Sequence, residues 1–173
     1  MSQKDQFLAQ YGHSDHITHV LTTSTDSEAK ETAINHNYGV NPVHLEQASK
    51  DRNWYVREAA AKHKKATEST LMTALKDDND YVRKAAIQNA NINTTHLKVA
   101  VKDPDNVVRF SAIKHPKATP EVIHTALNDV HGTFRHAAIR HPNASKENYE
   151  KAVNDTESDV ANYAKKKLGL IHE

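Results

Sequence analysis

Residues 111–129 read SAIKHPKATPEVIHTALND, and residues 137–155 read AAIRHPNASKENYEKAVND, nearly the same text 26 positions later. Stepping along the chain by 26 extends the match well beyond this stretch. Val56, Val82, Val108, Phe134 and Val160 fall in register, as do Arg57, Arg83, Arg109 and Arg135. Ala60, Ala86, Ala112, Ala138 and Ala164 make a third row, and Leu45, Leu71, Leu97 and Ile123 a fourth. Ala48, Ala74, Ala100, Ala126 and Ala152 follow, then Asp51, Asp77, Asp103, Asp129 and Asp155. Self-similarity at a fixed period of about 20–50 residues marks a stacked-repeat architecture, in which each unit buries its apolar face against its neighbours.

A polar row fixes what each unit is made of. Asp15, Asn41, Thr67, Asn93, Thr119 and Ser145 all belong to the small class whose side-chain oxygen accepts a bond from an exposed helix N–H. Pro42 and Pro120 follow directly, at the first helical position where proline costs least. Behind the cap, Leu97, Ala100 and Val101 recur at i, i+3 and i+4, one face of a helix. A second helix begins near the DDND, DPDN and DTES segments and carries Val82, Ala85, Ala86 or their equivalents.

Each unit is therefore expected to hold two helices of about 10 residues, roughly 15 Å long. Helices that short are marginal alone in water, so neighbouring units must hold them. The paired alanines at 59–60, 85–86 and 137–138 suit close helix crossing. A leucine-rich horseshoe is excluded, because the runs lack its strand motif and are helical in period.

The pattern predicts an all-α stack of about six two-helix units in one repeat domain. The units run from a degenerate N-terminal cap (1–26) through 27–50, 51–76, 77–102, 103–128 and 129–154 to a capping helix at 155–173.

Composition agrees with such a stack. The hydrophobic fraction of 37% over 173 residues is thin for one deep core, yet its apolar residues are spread evenly, unlike those of a disordered chain. With no cysteine, neither disulfides nor thiolate-bound metals are available. The opening residues MSQKDQFLAQYGHSDH lack the apolar run of a signal peptide, and no stretch reaches membrane-spanning length. A cytoplasmic protein is expected, and the formal net charge of +1 gives no strong overall pull toward nucleic acid or membranes.

The run DPDNVVRFSAI (103–113) followed by HPKATPEVIHTAL (115–127) resembles short HEAT-like repeats and is similar also to the leucine-rich repeat variant, an all-helical repeat. The resemblance covers residues about 27–168. It implies a right-handed α-solenoid that usually binds proteins and sometimes nucleic acid, with no chemistry attached to the fold. It implies that the Asp and Arg rows tie adjacent repeats together, and that second helices line a concave face bearing Glu46, Met72, Lys98, His124 and Glu150. Similar arrays occur in proteins of large tailed bacteriophages, where binding or inhibiting a host protein is a natural use. HEAT-like alkylpurine DNA glycosylases act on DNA, but that family is longer, more basic and richer in aromatics. The cysteine-ligated cluster associated with one leucine-rich-variant protein has no ligands here.

Several groups are candidate binding residues. His36, Lys62, Gln88, Lys114, Arg140 and Lys166 recur at the C-terminal end of each first helix, with Lys64, Lys65 and Lys117 in the adjoining loops. Cations there complement the helix dipole, and stacking turns them into a basic edge. Charge also varies along the chain. Residues 1–50 carry three Lys and six acids (−3), whereas residues 51–76 carry six Lys or Arg and three acids (+3). That basic unit contains the only tryptophan, Trp54, beside Tyr55, a pairing that suits a protein hot spot or the stacking of a base.

The histidine-rich start, His13, His16 and His19, offers two imidazoles three residues apart, short of the three or four converging ligands zinc requires. The row Asn37, His63, Asn89, His115 and His141 is expected to close helices in the left-handed conformation that Asn and His tolerate. No phosphate-cradling glycine loop, nucleophile elbow or H-E-x-x-H motif is present. The expectation is a non-enzymatic scaffold without cofactor or metal that binds a protein partner through Trp54, Tyr55, Lys62, Lys64, Lys65, Met72, Lys98, Lys114, His124 and Arg140. The alternative is nucleic-acid binding through the basic edge.

Overall fold

The 26-residue step of the sequence is the step of the helices. In the computed structural model, which describes residues 14–35 and 39–171, every regular element is an α-helix. Helix α1 spans 14–23, followed by α2 (Ser27–Asn35), α3 (Pro42–Ala48), α4 (Trp54–Lys62), α5 (Glu68–Ala74) and α6 (Asp80–Ile87). Then come α7 (Thr94–Ala100), α8 (Asn106–Lys114), α9 (Pro120–Ala126), α10 (Gly132–Ile139), α11 (Lys146–Ala152) and α12 (Ser158–Lys167). First helices start at 54, 80, 106, 132 and 158, and second helices at 42, 68, 94, 120 and 146. The second helices are only 7 residues long, shorter than the expected 10, because a two-residue turn follows each closing alanine.

The caps explain the starts. Asn41, Thr67, Asn93 and Ser145 each accept a bond from the backbone N–H three residues on. Pro42 and Pro120 occupy the first turn as expected. Two members of the row depart from expectation. Asp15 lies inside α1 and caps nothing as a helix-preceding residue. Thr119 stands at the cap position of α9, but its side chain makes no capping bond. First helices are capped at Asn53, Asn79 and Asp105, whose oxygens accept from the N–H two residues on.

The chain divides into two compact units, Met1–Ile92 and Asn93–Glu173. In the first, α4 packs against α2 and α6, and α3 and α5 close the other layer. Ile34, Leu45, Val56, Ala60, Leu71, Val82 and Ala86 are fully buried there. In the second, α8, α10 and α12 pack side by side, with α7, α9 and α11 as their partners. Leu97, Val108, Ala112, Ile123, Ala138 and Ala164 are fully buried. Burying one such Leu or Ile contributes about 2 kcal/mol. The alanines contribute by letting backbones approach, so a helix of 7–9 residues stays folded only within its stack.

The Asp and Arg rows are structural. Arg57 pairs with Asp77 at 2.6 Å, Arg109 with Asp129 at 2.7 Å and Arg135 with Asp155 at 2.8 Å, each linking one hairpin to the next. The other carboxylate oxygen accepts the N–H two residues on, as Asp77 does from Asn79. The Arg57 guanidinium also donates to the Asp51 and Arg52 carbonyls.

The first rung departs from the 26-step: Lys30, not residue 31, pairs with Asp51 at 2.7 Å. Helix α2 starts 27 residues before α4, so Ala33 and Ile34 stand where Ala60 and Ala61 stand in α4. The extra residue lies in the α2–α3 loop, where Gly39 adopts φ +78°.

The expected left-handed closure is not what His63 and His115 do. Both adopt extended backbone at the helix end, φ −66° and −68°. Gln88 and Arg140 close α6 and α10 in the right-handed region, one residue before Asn89 and His141. What this row shares is a side-chain acceptor for the N–H two residues on. Asn37, His36 and His13 lie outside the described residues. Among the described residues no helix is long and apolar enough to cross a membrane.

Candidate interaction surface

Tryptophan enters at the first turn of α4, which Asn53 caps, and Trp54 is half-buried there. Its ring stacks on Tyr55 (centroids 3.7 Å apart) and on Tyr81 of α6 (5.3 Å). Tyr55 and Tyr81 are 50% and 56% exposed. Lys84 sits over the Tyr81 ring at 5.5 Å and pairs with Asp80 at 2.7 Å. Trp54 therefore covers the neighbouring repeat and also forms the floor of a three-ring exposed cluster. Tyr81 is the member that sequence reasoning missed; its signal is that it stands 26 residues after Tyr55.

The basic residues of the same unit lie elsewhere. Lys62, at the far end of α4, is about 12 Å from Trp54 along the axis. It pairs with Glu58 at 2.7 Å and keeps 58% of its side chain exposed. Lys64 is exposed, whereas the Lys65 ammonium donates to the Val40 carbonyl at 2.8 Å, an inter-repeat bond. Asn91 and Asn143 make the corresponding contacts with side-chain amides. Met72 is half-buried on α5. Trp54 and Tyr55 are thus set apart from Lys62 along α4, and the cation against the aromatic cluster is Lys84 of α6.

In the second unit Lys114 lies over Phe110 at 5.5 Å, and Arg140 over Tyr163 at 4.7 Å with His136 Nε2 3.2 Å away. Each of these two cations is seated on a ring of its own or the following first helix. Lys98 on α7 pairs with Glu121 on α9 at 2.5 Å. His124 is exposed, and its carbonyl accepts from Lys151 at 3.1 Å. A cleft by Val130, His131, Gly132, His136 and Glu157 opens between the starts of α10 and α12. Among the described residues no group of three or more His, Asp or Glu is placed to hold a metal ion.

The loop histidines face inward, onto backbone. The Lys65 N–H donates to His63 Nδ1 at 3.0 Å, Lys117 N–H to His115 Nδ1 at 3.1 Å, and Asn143 N–H to His141 Nδ1 at 3.1 Å. Asn89 Oδ1 accepts from Asn91 N–H in the same way, at 2.9 Å. On the other side, Asn89 Nδ2 donates to the Ala61 and His63 carbonyls, and His141 Nε2 to the His115 carbonyl at 3.2 Å. Asn and His interchange in this row because each presents an acceptor to the loop N–H. Asn89 and His141 also use the opposite, donor edge, whereas His63 Nε2 is buried without a partner among the described residues.

A second row works likewise at the third helical position. Asn41 N–H donates to His44 Nδ1 and Asn93 N–H to His96 Nδ1, while Asn148 Oδ1 accepts from Ser145 N–H. A backbone N–H cannot accept, so each of these rings carries its proton on Nε2. His44 then donates from Nε2 to Thr18 Oγ1 at 2.9 Å. Burial lowers the pKa of His44, with Asp15 pulling the other way. Burial also lowers His63, aided by Lys65 and Lys64, and His115, aided by Lys117 and His141.

Neither a protein-family model nor a curated protein matches this chain.

Proposed function

We propose that the chain is a non-enzymatic scaffold that binds a protein partner, built as a right-handed HEAT-like α-solenoid and working in the cytoplasm. The observation that carries this reading is the stacked cluster of Trp54, Tyr55 and Tyr81, half-exposed on two successive first helices. Aromatics are 6% of the chain, so two exposed tyrosines stacked on the one tryptophan are a concentration. Exposed Trp and Tyr over a rigid base supply large contact area at low entropic cost, the composition of interface hot spots. The second-helix positions Met72 in the first unit, and Lys98 and His124 in the second, add mixed polar surface suited to a protein. In a phage setting, the partner would be a host protein bound or inhibited.

Capture from host cells tests this, comparing the parent with a Tyr55→Ala/Tyr81→Ala variant whose changes fall on exposed positions. One protein in stoichiometric amount is expected, retained at about 0.5 M salt, where surface charge is screened, and lost from the variant. Trp54, the only tryptophan, should change its emission when the purified partner is added. Equal capture by the variant would rule out the aromatic cluster. Retardation of DNA or RNA at low salt, weakening with a log–log slope of about −0.9 per neutralised phosphate, would favour the basic edge instead.

A further inference from the structure

We propose that the loop histidines His63, His115 and His141 form an acid-sensitive joint, holding the hairpin loops closed only while their rings are neutral. The geometry supports this at each position. Nδ1 accepts a backbone N–H from two residues on, at 3.0–3.1 Å, and so must be unprotonated. A proton on Nδ1 would point at that N–H, replacing a bond with a donor–donor contact and leaving the amide without its acceptor.

His63 is 6% exposed, so an imidazolium there would also lose most of its hydration. The charged groups facing these rings push the same way. Lys64 and Lys65 face His63, and Lys117 and His141 face His115. His141 itself faces the His115 carbonyl across the repeat boundary.

The chain carries its own control. Asn89 occupies the same row, accepts the same loop N–H and donates to the preceding hairpin, yet does not titrate. A repeat built with Asn is closed at every pH, and one built with His is closed only above its titration range. The folded rings of His63 and His115 bind fewer protons than free imidazole, whose ordinary value is 6.5. Their stabilisation is therefore complete above pH 6.5 and is lost as pH falls through the lower folded values. This inference does not depend on what the surface binds.

The test is urea unfolding between pH 7.5 and 5 of the parent and of the triple variant His63→Asn/His115→Asn/His141→Asn, which copies the chemistry of Asn89 into the other loops. The parent's folding constant should fall relative to the variant's, by up to about tenfold per pH unit for each of His63 and His115. Curves that stay parallel across this range would overturn the joint. Should the triple variant fail to fold at pH 7.5, His63→Asn alone carries the same comparison. Ring titration of the parent by NMR decides independently: midpoints below 6.5 for His63 and His115 are expected, and midpoints at or above 6.5 would overturn the proposal.

Discussion

The Arg57 guanidinium meets the Asp77 carboxylate side-on, Nε and Nη2 each donating to one oxygen at 2.6 and 2.7 Å across 20 residues of sequence. Only 14% of the arginine side chain and 6% of the aspartate side chain are exposed, so this is not an ordinary surface pair. Asp77 also holds its own loop through Asn79, and Arg57 holds the preceding loop through two carbonyls. Removing either partner strands groups in two loops. Arg57→Ala is expected to cost about 2 kcal/mol or more. A double-mutant cycle with Asp77→Ala should return a coupling of about 1–3 kcal/mol, measured by urea denaturation. Additive single effects would show that the pair merely sits close.

The carboxylate rungs have their own acid window. Burial raises Asp77, Asp51 and Asp129, but the bonds from Arg57, Lys30 and Arg109 and from loop N–H groups outweigh it and leave each below the ordinary 3.8. For Asp155 the Arg135 bond is itself the largest influence, and the direction is again down. A lowered carboxylate stabilises above its unfolded value, and the effect is lost as pH falls below 3.8 through the folded value. Acid unfolding should therefore show a component below about pH 4, apart from the histidine component below 6.5. Asp129→Asn is expected to flatten the lower component and leave the upper one unchanged, as followed by circular dichroism.

Ala86 has no exposed surface and sits on α6, which packs against both α4 and α5. Ala86→Glu would place a charge in that contact with no partner, at a cost of about 4 kcal/mol or more. Because α4 and α6 hold each other, helical signal should be lost from several hairpins together rather than from one. A melt that matches the parent would contradict the stacked packing.

The repeat makes much of this architecture readable. Weak signals such as one cap or one alanine gain force when the same environment recurs every 26 residues, which is why the roles of Asn41, Asn93, Val82 and Ala86 are all legible. Legibility ends where the period or the residue chemistry breaks. Lys30 does the work of an arginine from a position one residue out of step, so the 26-step comparison meets Glu31 instead. His44 and His96 close capping boxes in a place where Glu or Gln is the usual signal. The loop histidines match asparagine in the sequence on grounds of backbone tolerance, whereas the property they share is an acceptor aimed at the N–H two residues on. The surface is harder still. Linear proximity joins Trp54 to the lysines of its unit, but a helix of 9 residues sets them at opposite ends.

Gly39 shows how the broken period is absorbed. Its φ of +78° lies where a Cβ meets the backbone, and it occupies the loop that carries the extra residue. Gly39→Ala is expected to destabilise the first unit by about 1–2 kcal/mol. Shortening that loop by one residue at the same site should recover part of the loss, by restoring the spacing found between α4 and α5. Both effects are read as shifts in the urea midpoint.

Thr119 offers the opposite sign. It precedes Pro120 at the start of α9, and its buried Oγ1 has no hydrogen-bond partner among the described residues. Asn41 and Asn93 fill the same position in α3 and α7, and their side chains accept the N–H three residues on, from His44 and His96. Thr119→Asn should give α9 the missing cap, using the Val122 N–H as donor, and remove the orphaned hydroxyl. A gain of about 1 kcal/mol in unfolding free energy is expected, within the range of cap substitutions. Thr119→Val separates the two contributions, because it removes the hydroxyl without supplying an acceptor. If Asn and Val stabilise equally, the benefit comes from losing the buried hydroxyl and capping adds nothing at this helix.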